Sequence, residues 1–179
     1  MSSATATMAA PRRDSGFDHD AIIIGAGMSG LYQLIKLREL GMKAHIFEAG
    51  TGVGGTWYWN RYPGCRFDSE SYSYGFSFDK ELLQEWDWTE HFAPQPETER
   101  YLNRVADKYD LRRDITFGAR VKAATFDDAK KGWTVTLENG STHSARYLIT
   151  AIGALSAPTM PTFPGIADFK GESYHTGLW

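Results

Sequence analysis

Cysteine is nearly missing from this sequence: Cys65 stands alone among 179 residues. No disulfide can form within one chain, and nothing points to an oxidising compartment. Long apolar runs are missing too, and none approaches the roughly 20 residues that a spanning helix needs. There is no basic excess. Lys plus Arg is 19 against 22 for Asp plus Glu, a formal charge of -3, which argues against a nucleic-acid surface. No His/Cys/Asp cluster has metal-ligand spacing, no nucleophile elbow occurs, and no internal repeat is visible. His19, His45, His91 and His143 fit no motif and read as surface or structural residues. These absences leave a protein of ordinary composition, 42% hydrophobic and 23% charged, expected in the cytosol without membrane, nucleic acid or metal. Its length suits one domain, or one domain and part of another. Residues 1–17 are small and polar. Despite Arg12 and Arg13 they lack the amphipathic arginine pattern of a transit peptide, and they read as a disordered tail.

What is present begins at Ala21. Ala21 to Ile24 is a short β-branched apolar run, expected as a buried parallel strand. Ser29 to Leu40 places Leu31, Leu34, Ile35 and Leu37 on a helical period, with Gly41 as the stop. Ala44 to Glu48 is a second strand. Between the first strand and the helix lies Gly25-Ala26-Gly27-Met28-Ser29-Gly30, which is GxGxxG in the context that dinucleotide binding requires. Gly25 permits the tight turn, Gly27 lets a pyrophosphate approach the backbone, and Gly30 lets helix and strand pack closely. The helix N-terminus offers free N–H groups and a positive dipole end. Glu48 ends the second strand, where a carboxylate accepts hydrogen bonds from ribose hydroxyls.

Residues 51–95 are irregular and rich in glycine and aromatics. Within them SYSYGFSF alternates, which puts Tyr72, Tyr74, Phe76 and Phe78 on one face. Pro96 to Tyr109 predicts a helix and Ile115 to Gly118 a third strand. Val121 to Phe126, Trp133 to Glu138 and Thr142 to Ile152 predict an antiparallel meander, with Asn139-Gly140 as a hairpin turn. Its last strand is expected to re-enter the parallel sheet at Tyr147 to Ile152. Residues 154–165, with three prolines, read as a stiff connection.

The glycine motif does not choose between FAD and NAD(P). The stretch from Gly54 to Gly64, GGTWYWNRYPG, bears on that choice. Exposed, it would form a large sticky patch. It needs a flat apolar partner, which an isoalloxazine ring would supply; an ordinary aromatic core is the competing reading.

The longer run GGTWYWNRYPGCRFDSES resembles the flavin-side loop of the type I Baeyer–Villiger monooxygenases, which are class B flavoproteins. The final residues, FKGESYHTGLW, resemble the family fingerprint FxGxxxHxxxW at Phe169, Gly171, His175 and Trp179. Related heteroatom oxygenases close a similar fingerprint on Phe or Tyr, so Trp179 favours the ketone-oxidising subclass. Thr150-Ala151-Ile152-Gly153 is similar to the family's short second glycine motif.

The resemblance covers residues 18–179 and implies an α/β fold: a Rossmann-like FAD-binding domain with a parallel sheet and an antiparallel meander. It divides the chain into the tail, the N-terminal part of an FAD-binding domain over 18–153, and a fingerprint linker over 154–179. The expectation is a chain cut inside a longer protein, without the NADPH domain and inactive alone. By position the resemblance implies FAD contacts at Gly25, Gly27, Ser29, Gly30, Glu48, Gly55, Thr56, Trp57, Trp59, Asp68, Tyr74 and Val121. Arg66 to Asp68 correspond to a segment that also approaches NADP. Asp68 corresponds to the acid set against an active-site arginine, and so counts as catalytic. His175 and Trp179 belong to cofactor handling through the linker. The implied reaction takes a ketone, O2 and NADPH to an ester or lactone through a C4a-peroxyflavin. An N- or S-oxidising flavin monooxygenase and a non-catalytic flavin-binding module stand as alternatives.

Overall fold

The computed structural model describes residues 16–179. The tail expected over residues 1–17 therefore lies, up to residue 15, outside the described residues. Strand β1 (His19–Ile24) is followed by helix α1 (Met28–Glu39) and β2 (Ala44–Phe47). Ala21, Ile22 and Ile23 are wholly buried, which is why their stretch reads as a continuous apolar run rather than an alternation. Leu31, Leu34 and Ile35 form the buried face of α1. The helix ends where Gly41 takes φ 74°. There the Gly41 N–H donates to the Arg38 carbonyl and the Met42 N–H to the Leu37 carbonyl. This pair of bonds is a Schellman cap, which a left-handed residue permits and glycine adopts without strain.

Residues 51–95 contain three short helices: α2 (Thr56–Trp59), α3 (Ser71–Tyr74) and α4 (Lys80–Glu85). The SYSYGFSF stretch is thus not extended, as its alternation suggested. Ser71 donates from Oγ to the Glu90 and His91 carbonyls and fixes the start of a helical turn. Tyr72 then faces solvent while Phe76 is buried. A period-2 pattern over eight residues, with Gly75 in its middle, does not distinguish a strand from one helical turn followed by a bend. Helix α5 (Gln95–Lys108) buries Tyr101, Leu102, Val105 and Ala106. Its Tyr101 hydroxyl accepts from the Phe76 N–H at 2.7 Å, which locks the irregular region to the helix. Asp79 caps α4 through the Leu82 N–H and accepts from Tyr109 Oη at 2.7 Å.

The remaining strands are β3 (Ile115–Thr116), β4 (Val121–Asp127), β5 (Gly132–Leu137) and β6 (Thr142–Thr150). All six form one mixed sheet in the order β3-β2-β1-β6-β5-β4. The fold is α/β, as expected. β6 runs antiparallel to β5 and parallel to β1, with His19 opposite Ala145 and Ile24 opposite Thr150. The re-entry expected at Tyr147 therefore begins two residues earlier. At the hairpin, Gly140 takes φ 87° and the Asn139 side chain accepts from the Ser141 N–H.

One face of the sheet carries α1, α5 and the aromatic region. A smaller cluster of Ile22, Phe47, Val135, Leu137 and Ala145 forms a second core. Beside Phe47 lie three histidines: His19 stacks on His45 at 5.0 Å, and His143 sits 4.6 Å from Phe47. Burial, then the neighbouring His45, Lys43 and His143, push His19 down to about 4, with only Asp18 opposing. Burial lowers His45 as well. A histidine held neutral in the fold binds its proton more readily when unfolded, so its stabilising effect is full above the unfolded pKa of about 6.5 and is lost as pH falls toward 4. Thermal unfolding is expected to shift downward over this window, and His19→Gln to flatten the slope. An equal slope in the variant would contradict it.

Candidate functional site

β1, β2 and β6 end side by side, and a cleft of about 850 Å³ opens beyond their carboxyl ends. Open α/β sheets place ligands there, and the volume is that of a small-molecule site. Four segments form its walls: the turn at Gly25, Gly27, Met28 and Ser29; the loop Gly54–Asn60 with Tyr74; Phe47–Ala49 with Ala119–Val121; and Thr150–Gly153 with Leu155–Pro158, Gly177 and Leu178.

The turn is built by backbone proximity. Gly25 takes φ 103°, and a Cβ there would lie 2.6 Å from the Ala151 carbonyl oxygen. A Cβ on Gly30 would lie 1.9 Å from the Gly25 oxygen, and one on Gly55, at φ 56°, 2.8 Å from Gly27 Cα. Two glycine loops therefore meet in backbone contact and present no side chains between them. Helix α1 starts behind this turn with no side-chain cap and no acid in its first turn. Its N–H groups and positive dipole end are open to an anion.

Glu48 is buried, and it braces this turn. Its Oε2 accepts from the Ala26 N–H and its Oε1 from the Gly50 N–H, each at 2.6 Å. The sequence pointed to a ribose contact. The structure adds that the carboxylate first ties the end of β2 to both loops. Of about four lone-pair positions on a carboxylate, two remain, and Glu48 borders the cleft.

The loop before α2 is glycine-rich because it wraps a tyrosine ring. A Cβ on Gly50 would lie 2.7 Å from Tyr58 Cε1, and one on Gly52 3.0 Å from Cε2. The Thr51 N–H donates to Tyr58 Oη at 3.1 Å. Trp59 meets Tyr58 edge-on at 5.0 Å and is 46% exposed, toward the cleft it lines. Trp57 and Tyr74 form the other aromatic wall. The Trp57 indole N–H donates to Tyr74 Oη at 2.7 Å, and Phe67 stacks on Tyr74 at 4.4 Å. Burial raises the Tyr74 phenol, the Trp57 hydrogen bond works against it, and the Asp68 charge adds a smaller rise.

Of the residues singled out from sequence, Gly25, Gly27, Ser29, Glu48, Gly55, Thr56, Trp57, Trp59, Tyr74 and Val121 border this one cleft. Gly30 lies directly behind it. Arg66, Asp68, His175 and Trp179 are not in its walls. Arg66 pairs with Glu90 at 2.8 Å and donates to the Phe92 carbonyl. Asp68 is exposed and close enough to Tyr74 to act on it electrostatically. His175 accepts from the Gly177 N–H through Nδ1 at 3.1 Å, next to the wall residues Gly177 and Leu178. Trp179 packs on Tyr174 at 5.2 Å.

Sequence reasoning missed Asn60, whose side chain donates to the Thr56 carbonyl at 3.0 Å and ends α2. It also missed Arg120 and the return of Leu155–Pro158 to the rim. Asn60 lay inside the quoted aromatic loop and was legible there. Nothing local marks the other two. Among the described residues no group of three or more His, Cys, Asp or Glu is placed to hold a metal, and no helix is long and apolar enough to cross a membrane.

Residues 22–177 match the family described as pyridine nucleotide-disulphide oxidoreductase. The chain belongs to that family. Unlike the disulphide in the family's description, its one cysteine, Cys65, is free and buried. Among curated relatives, the chain is 51% identical over 160 residues to the 2-oxo-Δ3-4,5,5-trimethylcyclopentenylacetyl-CoA monooxygenase of Pseudomonas putida, covering 89% of this chain and 29% of that protein. It is 48% identical to a Baeyer–Villiger monooxygenase of Pseudooceanicola batsensis, covering 92% and 30%. It is 47% identical to the phenazine N-monooxygenase of Lysobacter antibioticus, covering 89% and 30%. The crystal structure of OTEMO in complex with FAD and NADP superposes with a TM-score of 0.83 at 50% identity, covering 91% of this chain and 31% of that one. The chain thus spans about 30% of the length of these relatives.

Proposed function

We propose that the cleft holds FAD and that the chain forms the flavin-binding part of a Baeyer–Villiger monooxygenase, which converts ketones to esters or lactones with O2 and NADPH. The observation that carries the reading is the uncapped α1 N-terminus behind a turn without side chains, facing a cleft with aromatic walls. A pyrophosphate fits the first part and a flat ring system the second. The likeness to a relative named as a Baeyer–Villiger monooxygenase supports the reaction class.

In this reading Gly25, Gly27 and Ser29 receive the pyrophosphate, with Gly30 allowing the close approach of helix and strand. Glu48 offers its remaining lone pairs to ribose hydroxyls, and Val121 borders the adenine end. Gly55, Thr56, Trp57, Trp59 and Tyr74 enclose the isoalloxazine. When bound, FAD supplies hydride acceptance from NADPH and the activation of O2. The chain's own residues orient the ring and exclude water from one side of it. Asp68 keeps an exposed carboxylate near the Tyr74 wall, and we assign it to holding an active-site arginine in place. Arg66, His175 and Trp179 are assigned to NADP handling. Residues 18–153 form the flavin unit and 154–179 the linker in this reading. The NADPH domain lies outside this chain, and a cytosolic location belongs to the same proposal.

The relative named for N-oxidation favours a second reading, in which the same bound flavin oxidises a heteroatom. The deciding experiment gives the full-length protein, FAD and NADPH a cyclic ketone and, separately, a tertiary amine. Lactone is the expected product. Amine oxide without lactone would establish the second reading, and a protein that takes up no flavin would end both.

A further inference from the structure

Tyr74 has an unusual division of hydrogen bonds. An indole N–H can only donate, so at 2.7 Å Trp57 makes the Tyr74 oxygen an acceptor. The phenolic proton of Tyr74 is then free, and among the described residues no acceptor for it is recorded. Both rings border the cleft. Both rings are packed against Phe67. Phe67 lies flat on Tyr74 at an interplanar angle of 10° and meets Trp57 edge-on at 5.5 Å. The Trp57 carbonyl is gripped by the buried Gln95 amide, which also reaches Glu99.

We infer that Trp57 is a positioning residue, whose indole fixes the direction of the Tyr74 hydroxyl so that its proton is donated into the cleft, to an oxygen or nitrogen acceptor on the bound ring system. This rests on the FAD reading above and adds a specific hydrogen bond to it. The phenol is suited to the task. Burial raises the phenol above its ordinary value, the Trp57 hydrogen bond opposes this in part, and the Asp68 charge adds to it, so the proton stays on the oxygen. An aromatic wall without Trp57 would leave the hydroxyl able to rotate between accepting and donating roles. With Trp57 engaging a lone pair of the oxygen, the O–H is directed away from the indole and its proton is left to donate elsewhere.

The test uses the full-length protein loaded with FAD, and three variants: Trp57→Phe, Tyr74→Phe and the double replacement. Each keeps a ring in place and removes one polar group. Loss of one neutral hydrogen bond is expected to weaken FAD about fivefold in Tyr74→Phe. The flavin midpoint potential should become more negative, because the donor favours the electron-rich reduced ring. Trp57→Phe should shift affinity and potential in the same direction. The double variant should match Tyr74→Phe alone, since Trp57 acts through Tyr74. A Trp57→Phe protein with the wild-type potential would overturn the inference, as would effects of the two replacements that multiply.

Should Trp57→Phe fail to fold, the Trp57 indole proton resonance compared between wild type and Tyr74→Phe supplies the second measurement. It should move on loss of the hydroxyl, and an unmoved resonance overturns the inference. A wild type that binds no flavin overturns the FAD reading instead. Bound flavin with unmoved variants overturns only the role of Trp57.

Discussion

Gly30→Ala is expected to cost about 3 kcal/mol of stability, the upper range for overpacking, and to remove measurable FAD binding. Gly30 does not adopt a left-handed backbone, so the cost is steric alone. The added methyl would stand 1.9 Å from the Gly25 oxygen and 3.0 Å from its carbon. Those atoms are main chain, and they are pinned in turn by the Gly25 N–H bond to Phe47 and by Ala151 behind. Relief requires α1 to slide away from β1, which would open the turn that receives the phosphates. Gly64→Ala is the control. Its φ of 78° costs about 1 kcal/mol for the left-handed backbone, but nothing lies within 4 Å of the new atom. Urea midpoints of the two variants separate the cases. If Gly30→Ala were no worse than Gly64→Ala, the close packing of helix on turn would be refuted.

Glu48→Gln should be nearly as damaging, although it changes one atom. Both carboxylate oxygens accept from buried main-chain N–H groups at 2.6 Å. Glutamine has one oxygen. Its amide nitrogen must then face the N–H of Ala26 or of Gly50, donor against donor. One buried donor left unpaired costs about 1–3 kcal/mol, and more where the lost acceptor was charged. Glu48→Ala strands both donors and should cost more. The two loops also meet the ligand through this brace, so FAD affinity should fall by at least tenfold in either variant. Calorimetric unfolding with FAD titration would check both. A Glu48→Gln protein within about 0.5 kcal/mol of wild type, the range of an ordinary surface change, would show that the brace carries little.

Much of this site was legible because it is local. GxGxxG, the helix behind it and the acid after β2 lie within 24 residues, Gly25 to Glu48, and each has a mechanical reason to be there. What was hidden depends on chain segments far apart. Glu48 reads as a ribose ligand from its place after a strand. Its bond to Ala26 appears only when the sheet brings β2 beside β1. The glycines at 50 and 52 leave room for the Tyr58 ring, and no spacing rule gives that. The alternation of SYSYGFSF misled because Ser71 is claimed by carbonyls about 20 residues downstream. Arg66 and Asp68 sat in the right motif, yet the fold leaves them outside the cleft wall. That fits the proposal that they serve a segment approaching from outside the cleft.

The placement of β6 has a consequence for the order in which the protein can assemble during synthesis. β1 emerges first from the ribosome, but its neighbour on one side is made long afterwards: Asp18 and Ser144, joined by hydrogen bonds beside that pairing, are 126 residues apart. Until β6 arrives, Ile22 and Ile23 have a strand on one edge only. Pairings between residues so distant in sequence are slow to form, since the chain loses much freedom before the contact repays it. Ala151, which backs the glycine turn, arrives after β6. The phosphate-receiving turn therefore acquires its shape only after β6 and Ala151 are in place, more than a hundred residues after the turn itself is made. The nascent chain would become able to retain flavin only in a step that follows closure of the sheet by β6.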